Sequence, residues 1–137
     1  MSDGYSIDDA PDLDATHAYL SRSYWAANIP RGLVARALAG SICFALKHQG
    51  AQVGFARVVT DRATFGYLAD VYVLEGHRGR GLGKRLLAAV HAHPELQGLR
   101  RWMLVTRDAH GLYRQGGWVD AQRPERIMEI VRAAPYG

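Results

Sequence analysis

The stretch HRGRGLGKRLL, residues 77–87, joins a β-rich run (TFGYLADVYVL, 64–74) to a helical one (LGKRLLAAVHAH, 82–93). Its glycines at 79, 81 and 83 let the backbone turn sharply and come close to a ligand. The helix that follows begins with free N–H groups and the positive end of its dipole. A glycine-rich turn feeding a helix N-terminus is an oxyanion cradle suited to phosphate. Arg78, Arg80, Lys84 and Arg85 crowd into the same stretch with no acid among them, and their field favours an anionic ligand. Two phosphate motifs fail here. A P-loop needs Ser or Thr after its lysine, whereas Lys84 is followed by Arg85. A dinucleotide fingerprint needs G-x-G-x-x-G, and the third glycine is out of place. The pattern present is Arg78-x-x-Gly81-x-Gly83.

The flanks give a mixed architecture. Leu82, Leu86, Leu87 and Val90 recur at helical spacing, and Pro94 stops the helix. Upstream, ICFALK, QVGFARVVT and TFGYLADVYVL are β-rich runs broken by the turn formers HQGA and DRA, which predicts a three-strand meander. Before them, Tyr5–Ile7 reads as a short strand. Asp12 or Asp14 can cap a helix running to about Ser23, and Pro30 can open a second helix ended by Gly40. Downstream, RWMLVT (101–106) reads as a buried strand. DAHGLYRQ (108–115) reads as a short helix that Asp108 can cap and Gly116-Gly117 ends. WVDA (118–121) and RIMEIV (126–131) read as two closing strands. The passage from Thr64 to Thr106 is then a βαβ unit, which places one parallel pair inside an otherwise antiparallel sheet.

The chain has 137 residues, 48% hydrophobic and 22% charged, the balance of one soluble globular domain spanning residues 1–137. Such a domain buries roughly two-thirds of its unfolded surface, so it needs no disulfide or metal staple. Its single cysteine, Cys43, excludes an internal disulfide and a thiolate zinc cage. In the apolar run ICFAL it reads as a small buried hydrophobe rather than an acyl-enzyme nucleophile. His91 and His93 are two apart on a helix and point to different faces, so no metal site is expected. The opening MSDGYSIDDAPDLD is acidic without an apolar core and predicts no signal peptide. No apolar run approaches the ~18 residues of a membrane span. A cytoplasmic protein without membrane contact is expected. Residues 1–20 hold five aspartates and no Lys or Arg, so the rest carries 17 basic against eight acidic side chains. That surplus raises a nucleic-acid module as a possibility, but no aromatic RNA-binding strand or recognition helix accompanies it, and no nucleic-acid partner is expected.

The order of these segments resembles the GCN5-related N-acetyltransferases, the GNAT family. The residues that carry the resemblance are DVYVLEGHRGRGLGKRLL, RWMLVT and AHGLYRQGGW, with Ala109, Leu112, Tyr113, Gly117 and Trp118 at family spacing over residues 42–119. One departure is Thr106, where the family often has an asparagine seven residues before the tyrosine. The resemblance implies an α/β fold whose mostly antiparallel sheet contains a parallel pair, the fourth and fifth strands, splayed around the cofactor. It implies acetyl-CoA as that cofactor. The backbone of Val71, Tyr72 and Val73 would bond the pantetheine arm like an added strand. The amides of Arg78, Gly79, Arg80, Gly81, Leu82, Gly83 and Lys84 would hold the pyrophosphate. Tyr113 would sit near the sulfur as general acid.

Asp70 lies inside the apolar run YLADVYV, where a carboxylate must be hydrogen-bonded or functional. A general base and a structural partner to a nearby loop both fit. His110, one turn before Tyr113, is a proton relay or a surface residue. Arg57 meets either an acceptor carboxylate or a surface acid. Tyr24 and Trp25 lie between the first two helices, a region that walls the acceptor pocket in the family; an aromatic pair there either suits a cation or an aromatic ring or anchors the helix pair in the core. The expected function is acetyl transfer from acetyl-CoA to a primary amine of a small molecule, such as an amino acid, polyamine or amine-bearing antibiotic, by direct attack. The alternatives are a non-catalytic acyl-CoA sensor and acetylation of a protein lysine or N-terminus. A monomer or homodimer is expected.

Overall fold

The computed structural model describes residues 3–137. Five strands form one sheet in chain order: β1 (Tyr5–Asp8), β2 (Ile42–His48), β3 (Ala51–Thr60), β4 (Phe65–Val73) and β5 (Arg101–Met103). Helices α1 (Leu13–Leu20) and α2 (Arg31–Ala39) precede β2, α3 (Leu82–Ala92) links β4 to β5, and α4 (His110–Gln115) follows β5. All neighbouring strands are antiparallel except β4 and β5. This is the expected α/β architecture with one parallel pair.

The two sheet faces are covered differently. Leu82, Leu86, Leu87 and Val90 of α3 pack on Phe44, Ala56, Val58 and Leu68 in the main core. The 3.6-residue period of α3 makes that packing possible, since all four project from one face. On the opposite face, α1 and α2 pack over Cys43, Phe55 and Tyr72, through Tyr19 and Leu38. A buried polar network ties them down. The Gln52 side chain accepts from the Asp12 amide at 2.7 Å and donates to the Thr16 hydroxyl at 2.9 Å and the Tyr72 hydroxyl at 3.1 Å. Asp12 is the cap of α1, accepting from the Ala15 amide at 3.0 Å, while Asp14 instead pairs with Arg31. The helix ends at Leu20 rather than Ser23, because the Ser23 hydroxyl donates to the Leu20 carbonyl at 2.7 Å and competes with the helical ladder.

Three expectations are corrected. β5 is three residues long, not six, because its pairing stops at Tyr67 opposite Met103. The predicted closing strands WVDA and RIMEIV take no part in the sheet, which ends at β5, and Pro124–Arg126 forms a 3₁₀ turn. A strand needs partners for its N–H and C=O groups, and alternation along a sequence does not supply them. Asp108 does not cap α4: the N-cap is Ala109, no side chain caps the helix, and the Thr106 hydroxyl accepts from the Ala109 amide at 3.0 Å in the turn before it. Among the described residues no helix is long and apolar enough to cross a membrane.

Candidate active site

The glycine loop is built as its sequence requires. Gly79 and Gly81 adopt φ of +80° and +73°, a left-handed conformation that costs a side-chain-bearing residue about 1–2 kcal/mol. Gly81 is the N-cap of α3 and has no side chain to satisfy the first amides of the helix. A Cβ on Gly83 would sit 3.4 Å from Leu112. A cavity of about 270 Å³ opens over these residues, bounded by Val73, Arg78, Gly79, Gly81, Gly83 and Lys84. The four cations play different parts. Arg78 folds back, its guanidinium donating to the Val73 carbonyl at 2.9 Å and the Tyr19 hydroxyl at 3.1 Å. Arg85 turns away to Asp3 at 2.7 Å. Arg80 and Lys84 have no hydrogen-bonding or ion-pair partner among the described residues.

The second feature is the opening between β4 and β5. They pair only at Phe65–Arg101, Gly66–Trp102 and Tyr67–Met103. Beyond that point β4 continues to Val73 against β3 alone, with Gly54 opposite Val73 and Phe55 opposite Tyr72. A bulge in β4 drives the separation: Phe55 faces Tyr72 and Arg57 faces Ala69, so Asp70 and Val71 share the single partner position of Ala56. Asp70 takes φ of +56°, which an aspartate tolerates better than a branched residue.

Tyr113 lies at the inner end of this opening. It is 9% exposed, packs against Val71, Gly83 and Leu112 in the apolar core on one side, and lines a cavity of about 700 Å³ beside β5 on the other. Its hydroxyl has no hydrogen-bond partner among the described residues. Burial, with the nearby Tyr24 adding to it, pushes that hydroxyl above the usual tyrosine range. Val73 lines the loop cavity, and Val71 packs beside Tyr113 in the core.

Residues 39–120 match the family described as Acetyltransferase (GNAT) domain. The chain belongs to the GNAT acetyltransferase family. A GNAT protein of Xanthomonas campestris pv. campestris, assigned provisionally as an acetyltransferase, has a crystal structure that superposes with a TM-score of 0.93 at 46% identity, covering 96% of each chain. A Gibberella zeae protein with the same provisional assignment is 37% identical, the match covering 74% of this chain and 69% of that one. Glucosamine-6-phosphate N-acetyltransferase of Arabidopsis thaliana shares the fold at 12% identity, with a TM-score of 0.69 over 95% of this chain and 98% of that one.

In this GNAT chain Tyr24, Trp25 and Asp70 come together on the far side of the bulge. Asp70 accepts from the Trp25 indole at 2.7 Å and from the Arg57 guanidinium at 2.6 Å, one bond to each oxygen. Arg57 also donates to the Ser41 hydroxyl at 3.1 Å. Of the two partners open to Arg57 in the sequence, an acid is the one present, and it is mostly buried rather than on the surface. Tyr24 stands edge-on to Trp25, and the Arg107 guanidinium lies 3.8 Å from the Tyr24 ring centroid. Both aromatics remain partly exposed, Tyr24 by 54% and Trp25 by 41%. Cys43 is buried, its thiol pushed up by desolvation and directed at the Leu38 carbonyl. Sequence reasoning missed Arg107 and Ser41. Neither had a signal, since each acquires its partner only through tertiary contact. The bulge had one: a lone aspartate in an apolar strand.

Proposed function

We propose that this GNAT acetyltransferase moves an acetyl group from acetyl-CoA to a primary amine of a small molecule by direct attack, with Tyr113 as general acid. The observation that carries the reading is the glycine loop at the N-terminus of α3, set beside a β4 edge that β5 leaves free beyond Tyr67. The loop fits a diphosphate: two glycines hold left-handed backbone, the first amides of α3 lack a side-chain cap, and Lys84 borders the cavity. The edge of β4 left by β5 fits an extended amide-bearing arm, which would hydrogen-bond as an added strand.

Acetyl-CoA supplies a thioester, an electrophilic carbonyl with a thiolate leaving group. Tyr113 keeps its proton at neutral pH because burial disfavours the phenolate. It can therefore donate a hydrogen bond to sulfur as negative charge builds there. Ordinary values of about 10 for tyrosine and 8.5 for a thiol make full transfer uphill by roughly 2 kcal/mol, small against a chemical barrier. The cavity on its other side provides a route for the proton to return from solvent. Of the roles open to Asp70, the geometry supports the structural one: both oxygens already accept bonds, and they hold Trp25 and the bulge in place. The base is then water or the acceptor's own equilibrium.

The exposed Trp25 ring supports an amine cation as acceptor, while the Tyr24 ring already carries Arg107. The test measures thiol release with acetyl-CoA against a panel of small amines and lysine-bearing peptides. Turnover with small amines, lost on Trp25→Ala, supports the reading. Turnover with peptides alone, unchanged by Trp25→Ala, defeats it. CoA binding with no turnover on any amine would favour the sensor.

A further inference from the structure

Side chains from both walls meet across the β4–β5 opening. On the β4 side, Asp70 holds Trp25 through its indole, and Tyr24 stands edge-on to Trp25 with ring centroids 5.1 Å apart. On the β5 side, Arg107 reaches over from the turn between β5 and α4 and sets its guanidinium over the Tyr24 ring, 3.8 Å from the centroid. A guanidinium held over a ring face is fixed in place and keeps its N–H fork for another partner. Here the fork is open: Arg107 donates no hydrogen bond to any described residue. The acid within ion-pair range is Asp108 at 3.7 Å, too far for a hydrogen bond, and the two side chains are 63% and 71% exposed.

The other charges beside these rings are committed. Asp70 gives one oxygen to Trp25 and the other to Arg57, so Arg57 is paired in turn. An acceptor entering beside Trp25 therefore meets a carboxylate already taken and a guanidinium still open. The planar fork of that guanidinium matches the two oxygens of a carboxylate, and one open guanidinium balances one negative charge. Arg107 and Trp25 both rest on Tyr24, so they lie one ring apart, a gap that a molecule with an amine and a carboxylate a few bonds apart can span. Tyr24 is also near enough to Tyr113 to raise its hydroxyl, which brings the same rings to the proposed acid. We propose that the acceptor is a small amino acid, its carboxylate read by Arg107 and its amine carried over Trp25 toward the thioester. The proposal rests on the reading of a small-amine acetyltransferase given above and deepens it by naming the second group of the acceptor. The amine nitrogen bonds to the acetyl carbon as the carbon–sulfur bond breaks; Tyr113 protonates the departing sulfur, and water takes the proton from nitrogen. Arg107 binds substrate in this scheme, and Tyr24 positions Arg107.

The test follows thiol release from acetyl-CoA with matched acceptors at equal concentrations of the unprotonated amine. The set holds the common amino acids, their amides, the amines left by removing the carboxylate, and aminoalkyl phosphates of equal length. The preferred amino acid should exceed its own amide in kcat/KM by roughly 10–100-fold, as a charge-assisted pair of hydrogen bonds would give. Arg107→Gln should collapse that ratio toward one, chiefly by raising KM for the amino acid. Tyr24→Phe keeps a ring under the guanidinium and should preserve the ratio, whereas Tyr24→Leu removes the ring and should lower the ratio with Arg107 intact. A thermal melt with CoA checks that each variant is folded. Three results overturn the proposal and leave the small-amine reading standing: equal turnover of amino acids and their amides, a ratio that survives Arg107→Gln, and a preference for the aminoalkyl phosphate. Absence of turnover with every small amine overturns both.

Discussion

Tyr113 combines three properties: it is nearly buried, its hydroxyl has no protein partner among the described residues, and it lines an open cavity. Removing the hydroxyl therefore takes away no internal hydrogen bond. Tyr113→Phe should leave the melting temperature and CoA affinity close to those of the unaltered protein and lower turnover by roughly 10²–10⁴. Steady-state kinetics beside a thermal melt checks both halves. Asp70 offers a sharper choice. Asp70→Asn keeps an acceptor for Trp25 and tolerates the left-handed backbone, so a positioning role predicts that most turnover survives. Asp70→Ala strands the Arg57 guanidinium, whose side chain is only 19% exposed, and should cost about 3 kcal/mol of stability. If Asp70→Asn reduces turnover as far as Tyr113→Phe does, with stability intact, the carboxylate is the base.

At the level of elements, α3 anchors both halves of the site. Its N-terminus forms the loop cavity, and its last turns hold α4 and the segment beyond it. Gly116 sits close to the second contact: a Cβ there would lie 2.7 Å from the Leu87 Cδ2 methyl. Gly116→Ala should force the Leu87 side chain to shift within the core and cost about 1 kcal/mol, read as a shift in the denaturant midpoint. Turnover should fall with it, since Tyr113 rides on α4. The Trp118 indole donates to His91 Nε2 at 2.9 Å, which requires the neutral ring. Burial holds His91 below its usual value. The unfolded chain thus binds the proton first as pH falls, and the native state loses stability in the window below about 6.5. Melting temperatures across that window should fall more steeply for the unaltered protein than for His91→Gln.

For the molecule as a whole, the acidic N-terminal segment neutralises part of the basic body. Asp3 pairs with Arg85, Asp8 with Lys47 and Asp14 with Arg31. These are exposed or half-exposed pairs worth little individually. They leave Arg78, Arg80 and Lys84 at the glycine loop without an acidic partner among the described residues. A ligand held there binds only the folded chain and must stabilise it by mass action. CoA at a hundredfold excess over its dissociation constant should add about 2.7 kcal/mol, a melting shift on the order of 10 °C. Gly81→Val should abolish that shift, because φ of +73° is closed to a branched side chain and the cradle would deform.

The glycine loop, α3 and the meander were legible in the chain because each rests on local rules. Gly79 and Gly81 satisfy a backbone angle, Leu82, Leu86, Leu87 and Val90 a helical period, and the turn formers between runs a reversal. Tyr113 was legible only by its spacing from that loop within a known family pattern. The contacts of Asp70 were not: its partners Trp25 and Arg57 lie 45 and 13 residues away, and nothing local fixes which will arrive. The length of β5 and the fate of residues 126–131 were also out of reach. RIMEIV has the composition of a strand, yet strand formation is a property of two segments and their hydrogen bonds, not of one. Composition sets which residues can pair. Which ones do so is set by the geometry of the sheet, where the early end of β4–β5 pairing leaves β4 with a free edge beyond Tyr67.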